Sequence, residues 1–350
     1  MVNIAAYYYP GWHNHDGLEE WNLVRNAKPY FKGHNQPRVP SLGYLDDSEK
    51  STLKIQTALA SSYGIDAFIF DWYWKKGKRE LGSPLEAFLS TDTNMKFAFL
   101  WTWKIAKRDL PATPGVVSEA EKSRWVETDT EDFLKLLTFC GDNYFKRKNY
   151  LHVEGKPYFV MYYVQGFVDK LGQDKLAEMI HEGKKLMKRR GFNGLYTIGV
   201  VTEPFDTDHF GFDALTGYNF LPDFSPNSPL IQDYGVLSKK RISDWKEIER
   251  VGNLPYIPSI SAGWDASPRG IRVDNLSRNL GFPWAPIVVG NTPSKFGKFL
   301  RAGIEYAKSN KTDMVHLCAW NEWSEGAYLE PDKRYGLRFL EEVKKAKKRD

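Results

Sequence analysis

The sequence predicts a single (β/α)8 barrel spanning residues 1–350. Apolar runs of strand character alternate with helical segments along the whole chain. Nearly every run ends in polar or aromatic residues suited to chemistry, and a barrel would bring all such ends to one face. An open, doubly wound sheet is the competing arrangement. Against it, the first strand and loop carry no G-x-G-x-x-G, and no G-x-x-x-x-G-K-[ST] occurs anywhere.

The elements read in order as follows. Ile4 to Tyr9 forms the first strand, closed by Pro10-Gly11, and a long polar loop follows. A helix near Ser48 to Tyr63 takes Asp47 or Ser48 as its N-cap, because a short side-chain oxygen there satisfies free N–H groups. Ile65 to Phe70 is the second strand, running into Asp71-Trp-Tyr-Trp74. A short helix near Pro84 to Leu89 precedes the third strand, Lys96 to Trp101. A helix over roughly Thr130 to Tyr144 leads to the fourth, Pro157 to Tyr163. Asp174 to Arg190 is helical, with Leu176, Met179, Ile180 and Leu186 on one side. Leu195 to Val201 and Asp213 to Tyr218 are strands five and six. Ser243 to Val251 is read as helix before strand seven, Tyr256 to Ser261. A helix near Pro293 to Ser309 and the strand Met314 to Cys318 complete the set.

Bulk composition is that of a globular chain: 42% hydrophobic, 27% charged and a net charge of +5. Much of the positive excess lies in Lys344-Lys-Ala-Lys-Lys-Arg349, where cations suit a helix C-terminus and imply neither nucleic acid nor membrane as a partner. Cys140 and Cys318 give no disulfide framework and read as small core residues. No apolar run is long enough to span a bilayer. No signal peptide is visible, since the first strand begins at Ile4. The chain is therefore expected to be cytoplasmic, or secreted or periplasmic with its leader removed. Aromatic residues reach 15%, and many stand at strand ends, where rings suit the flat apolar faces of sugars.

The chemistry concentrates in Ala319-Trp-Asn-Glu-Trp-Ser-Glu-Gly-Ala-Tyr-Leu-Glu-Pro331. Breaking an acetal needs an acid for the departing oxygen and a base or nucleophile for the cationic sugar centre. Glu322 and Glu325 meet that need if the loop turns both inward, a turn Gly326 permits. Two close carboxylates repel, and aromatic walls remove water, so one of them keeps its proton near neutrality. The alternative is that Glu322 caps a helix and Glu325 is a surface carboxylate. The candidate substrate contacts are Tyr8, Tyr9, His13, Asp71, Trp72, Trp101, Trp103, Tyr163, Glu203, Tyr218, Asn219, Trp264, Asn321 and Trp323. For any one of these, packing at the top of the barrel or a satisfied polar strand end is the competing explanation. His13, His15 and Asp16 resemble a metal cluster, but no third ligand stands at useful spacing, so no metal or other cofactor is expected. Lys104, Lys107 and Arg108 read as solvated loop charges.

The segment A-W-N-E-W-S-E-G-A-Y-L-E-P resembles the C-terminal signature of the WbsX-like proteins, which are similar to glycoside hydrolase family 99, the endo-α-mannosidases. A-Y-Y-Y-P-G-W-H, Y-G-I-D-A-F-I-F-D-W-Y-W, L-G-S-P-L-E-A-F-L and K-F-A-F-L-W-T-W resemble the same group, so the likeness covers essentially the whole chain. It implies a (β/α)8 barrel and metal-free, retaining cleavage of α-mannoside-like bonds in an oligo- or polysaccharide. It further implies that Glu322 deprotonates the sugar's own 2-hydroxyl, which attacks the anomeric carbon, and that Glu325 is the acid and then the base. The chain departs from the endo-mannosidases at Ser324, where His is expected. WbsX-like proteins are also linked with surface-polysaccharide (O-antigen) synthesis. A glycosyltransferase, or a carbohydrate-binding barrel without catalysis, therefore stands beside the hydrolase as an alternative.

Overall fold

The computed structural model describes residues 2–102, 109–116 and 128–348. Eight parallel strands form a nearly closed barrel: β1 Asn3–Tyr8, β2 Ala67–Lys75, β3 Lys96–Trp101, β4 Lys156–Met161, β5 Tyr196–Val200, β6 Ala214–Thr216, β7 and β8 Met314–Cys318. Strand β7 is split by Pro258 into Tyr256–Ile257 and Ser259–Ser261. Proline has no N–H to give the ladder. The first piece therefore pairs with β6 and the second with β8, and the ring passes through the break. Closure between first and last strands sets Asn3 against Met314 and Ala6 against Leu317.

Helices cover the outside: α1 Glu20–Asn26, α2 Lys50–Ser62, α3 Ser83–Leu89, α4 Thr130–Asn143, α5 Val164–Leu171, α6 Gln173–Arg189, α7 Tyr234–Gly252, α8 Pro293–Ser309 and α9 Arg338–Lys348. Helix α6 buries Leu176, Met179 and Ile180, as its spacing predicts. Three expectations need correction. The cap of α2 is Glu49, without a side-chain bond, because Asp47 is turned inward to the Trp12 N–H and His13. Helix α7 begins nine residues before the expected Ser243, capped by Asp233, whose Oδ1 accepts from Gly235 and Val236 N–H. The first loop is not all loop, since it contains α1.

The barrel interior has a polar centre. His316 of β8 takes Tyr7 of β1 and Thr216 of β6 at Nδ1 (2.9 and 3.0 Å) and Tyr158 of β4 at Nε2 (2.7 Å). Burial drives its pKa down to about 3, so the ring is neutral and acts as a hydrogen-bonded plug tying four strands. Cys140 and Cys318 are buried free thiols. Among the described residues no helix is long and apolar enough to cross a membrane.

Candidate active site

Above this plug an open cleft of about 470 Å3 is lined by at least one residue from within or just beyond every strand. Tyr9, Thr102, Tyr163, Thr202, Tyr218, Trp264 and Glu322 follow β1, β3, β4, β5, β6, β7 and β8 in turn, and Asp71 lies within β2. Neighbouring residues of a strand point to opposite faces, so at several strand ends only one of the pair enters, whereas Tyr162 and Tyr163, and Tyr218 and Asn219, all line the cleft from the turns beyond β4 and β6. Tyr9 enters while Tyr8 faces α2, donating to Gln56 Oε1 at 2.8 Å. Asp71 enters while Trp72 packs on Phe99 and Tyr144. Thr102 enters while Trp101 stacks on Phe133 of α4, 5.3 Å away at 17°.

Both candidate catalytic carboxylates reach the cleft. The chain folds back after Glu325 because Gly326 adopts φ +65°, and a short antiparallel ladder sets Glu322 against Ala327. Arg269, from the loop after β7, lies between the acids. Its Nη2 is 3.3 Å from Glu322 Oε2, its Nη1 bonds Glu325 Oε1, and Nη2 and Nε reach Glu20 Oε1 at 2.9 and 3.2 Å. Ser324 accepts from Arg269 Nε at 2.8 Å and donates to Glu20, and the Tyr9 hydroxyl donates to Glu20 Oε2 at 2.6 Å. Burial alone would raise Glu20, but the guanidinium and these two hydroxyls outweigh it and hold its pKa below the usual value.

The opposite holds for Glu322. Burial, then repulsion from Glu325, lifts it well above the ordinary carboxylate range despite Arg269. Asp71 is raised too, first by burial. The Tyr218 hydroxyl lies 3.0 Å from Glu322 Oε1 and 3.1 Å from Asp71 Oδ2. It owns one proton, so a further proton must sit on one of the two carboxyls for both contacts to be hydrogen bonds. The site therefore stores a proton on the Glu322–Tyr218–Asp71 side and an ion pair on the Glu325–Arg269 side.

Of the other candidates, Tyr163, Tyr218, Asn219 and Trp264 line the cleft. Tyr163 does so from φ +60°, a left-handed conformation uncommon for a bulky residue. Asn321 is a clip: its side chain accepts from Tyr9 N–H and donates to Tyr9 C=O, both at 2.8 Å, locking the β8 turn to the end of β1. Trp323 lies beneath the turn, stacked on Tyr328 at 3.7 Å. His13 is taken by Asp47 Oδ1 at 2.7 Å, and Glu203 is on an exposed loop. Trp103, with Lys104, Lys107 and Arg108, falls outside the described residues. Sequence reasoning missed Arg269 and Glu20. Neither carries a signal in spacing, and they meet the glutamates only through the fold.

Residues 4–343 match the family described as Glycosyltransferase WbsX. The chain belongs to that family. WxcX of Xanthomonas campestris pv. campestris is 26% identical over 385 aligned positions, covering 99% of this chain. The chain spans about half the length of that relative, 49%. The glycoprotein endo-alpha-1,2-mannosidase of Rattus norvegicus is 21% identical, covering 92% of this chain and 63% of the relative. Among solved structures, the GH99 endo-alpha-mannosidase of Bacteroides thetaiotaomicron superposes with a TM-score of 0.66 at 13% identity, over 99% of this chain and 97% of that one. A glycoside hydrolase-like protein superposes with a TM-score of 0.67 at 18% identity, over 99% and 93%. This WbsX chain thus shares its (β/α)8 barrel with the GH99 endo-alpha-mannosidase structure.

Proposed function

We propose that this WbsX protein is a retaining glycoside hydrolase acting on α-mannoside-like linkages of a polysaccharide or glycan, with residues 1–350 working as one catalytic barrel. The observation that carries this reading is the meeting of Glu322 and Glu325 in one open cleft fed by all eight strand ends. In the reaction, Glu322 takes the proton of the sugar's 2-hydroxyl. The freed oxygen attacks the anomeric carbon as the glycosidic bond breaks, and Glu325 protonates the departing oxygen. Water then loses a proton to Glu325 and opens the 1,2-anhydro ring, while the 2-oxygen recovers its proton from Glu322. The resting charge pattern is one proton transfer away from this start: the proton held on the Glu322–Tyr218–Asp71 side must move to Glu325, which leaves Glu322 as the base and Glu325 as the acid. Substrate that parts Glu325 from Arg269 favours that transfer, because the carboxylate then loses the cation that keeps it ionised.

Hydrolysis of α-mannans, aryl α-mannosides and α-mannosyl fluoride tests the reading. Glu322→Gln is expected to lose ~10²–10⁴-fold on all three. Glu325→Gln should lose as much in kcat/KM on mannans but little in kcat/KM on the fluoride, whose leaving group needs no proton, while kcat falls on both because water still needs its base. Undiminished activity in both variants would remove the pair from the chemistry.

The family's own description favours a second reading, in which the same pair transfers a glycosyl unit to an acceptor other than water. Clear calorimetric binding of nucleotide sugars would put that reading first.

A further inference from the structure

The loop that supplies Arg269 and the turn that supplies Glu325 are joined behind the cleft by one buried carboxylate. Asp265, which has no exposed surface, donates its backbone N–H to the Glu325 C=O at 2.7 Å. Its Oδ1 accepts at 3.1 Å from the N–H of Ser267, the first residue of the short 3-10 turn Ser267–Arg269. Its Oδ2 takes three donors from the loop between α1 and α2: His34 Nε2 at 2.8 Å, Gln36 Nε2 at 2.6 Å and Arg38 Nη2 at 3.1 Å. The Tyr30 N–H donates to His34 Nδ1 at 3.1 Å, so the hydrogen given to Asp265 sits on Nε2. Arg38 also packs against the acidic turn itself, since a Cβ on Gly326 would lie 2.7 Å from its guanidinium carbon.

Asp265, His34, Gln36 and Arg38 are all buried, and none of the four lines the cleft. They act on protein groups and not on substrate. Burial alone would raise the Asp265 carboxyl, but Arg38, His34 and the Ser267 N–H hold it well below the usual range. It therefore stays ionised and keeps every one of its acceptor contacts. Apolar side chains could join two loops at a smaller desolvation cost. Charge-assisted hydrogen bonds differ in fixing angle as well as distance. What they fix here is the place where the Arg269 guanidinium meets Glu325.

We propose that Asp265, clamped by His34, Gln36 and Arg38, is a positioning residue for proton transfer to the leaving group, setting the Arg269–Glu325 contact from behind. Its part in catalysis rests on the glycosidase reading, but the geometry it imposes does not. Asp265→Asn keeps the shape and must turn an NH2 toward either the Ser267 N–H or the three donors on Oδ2. In that variant kcat/KM on α-mannan is expected to fall ~10–10²-fold, as for a misplaced acid, and kcat/KM on α-mannosyl fluoride about threefold at most. Loss of folded protein would lower both alike. Equal losses, a larger loss on the fluoride, or no loss on either would overturn the proposal. Should Asp265→Asn not fold, Gln36→Met leaves His34 and Arg38 on the carboxylate and should lose about fivefold on mannan with the fluoride unchanged. The absence of that order would count against the proposal equally. Crystal structures of the variants separate the geometry from the reaction. Arg269 parted from Glu325 would support the positioning role even if the wild-type protein hydrolyses nothing, whereas an unchanged contact would sink it even if mannan is cleaved.

Discussion

Glu325 and Glu330 stand on the same turn after β8, yet they line different cavities. Their exposure is nearly equal, 9% and 8%. Glu330 lines a narrow pocket with room for about 10 Å3, at the limit for a single water, and its partners are neutral: Gln56 Nε2 at 2.8 Å and Trp323 Nε1 at 2.7 Å. Burial, only partly offset by those donors, pushes its pKa up to about 7. Glu325 faces the 470 Å3 cleft and the Arg269 guanidinium. Burial is common to both acids. What separates a carboxyl placed for chemistry from one that packs is a counter-charge and a path to substrate.

Removing the counter-charge is the strongest way to break that contrast. Arg269→Met leaves Glu20, Glu322 and Glu325 buried around no cation, and breaking a buried pair in this way costs ~3–5 kcal/mol. Urea unfolding at neutral pH should show that loss, with activity down by ~10²-fold or more, since the acids no longer hold their charge pattern. The deficit should shrink as pH falls, because protonated carboxyls no longer need the guanidinium. A deficit that stays constant down to acid pH would mean that Arg269 acts by packing alone.

Glu330→Gln probes the other face. Folded Glu330 keeps its proton up to about pH 7, whereas the unfolded chain loses it near the ordinary value of 4.5. The folded state thus binds more protons between those values, and wild-type stability falls as pH rises through that window, by about 3 kcal/mol in all. The variant has no such group. Relative to wild type it should gain about that much between pH 4.5 and pH 7, with kcat/KM changed only a few-fold. Parallel unfolding curves would show that Glu330 is ionised in the folded protein.

The same contrast marks how far the sequence could be read. All eight strands were legible, because barrel strands covered on both sides leave continuous apolar runs. The acidic turn was legible because its residues are close in sequence. Which residues of a strand-end pair face the cleft was not, since the tilt of the barrel decides between Tyr8 and Tyr9 or Asp71 and Trp72. Arg269 and Glu20 were invisible for a different reason. Their contact joins residues 249 positions apart, and Glu20 belongs to a helix of seven residues inside what reads as loop. The neutral His316 plug went unnoticed because a single histidine in an apolar run has no periodicity to reveal its three partners.

The smallest expected effect gives the sharpest form of the comparison. Ser324 bridges the Arg269 Nε and Glu20, and it occupies the position where the endo-mannosidases are expected to carry His. Ser324→Ala removes one bond from each partner, but Glu20 keeps Arg269 and the Tyr9 hydroxyl. The cost should be about 1 kcal/mol, with activity within tenfold of wild type. Its pH dependence must run opposite to that of Glu330→Gln. The pKa of Glu20 is depressed in the folded state, so its stabilising contribution is present above the unfolded value and disappears as the group protonates in acid. Ser324→Ala should therefore be weaker than wild type at neutral pH and level with it in acid, whereas Glu330→Gln improves on wild type as pH rises. Two variants of one turn whose stability differences from wild type move the same way with pH would erase the distinction between its charged and neutral faces.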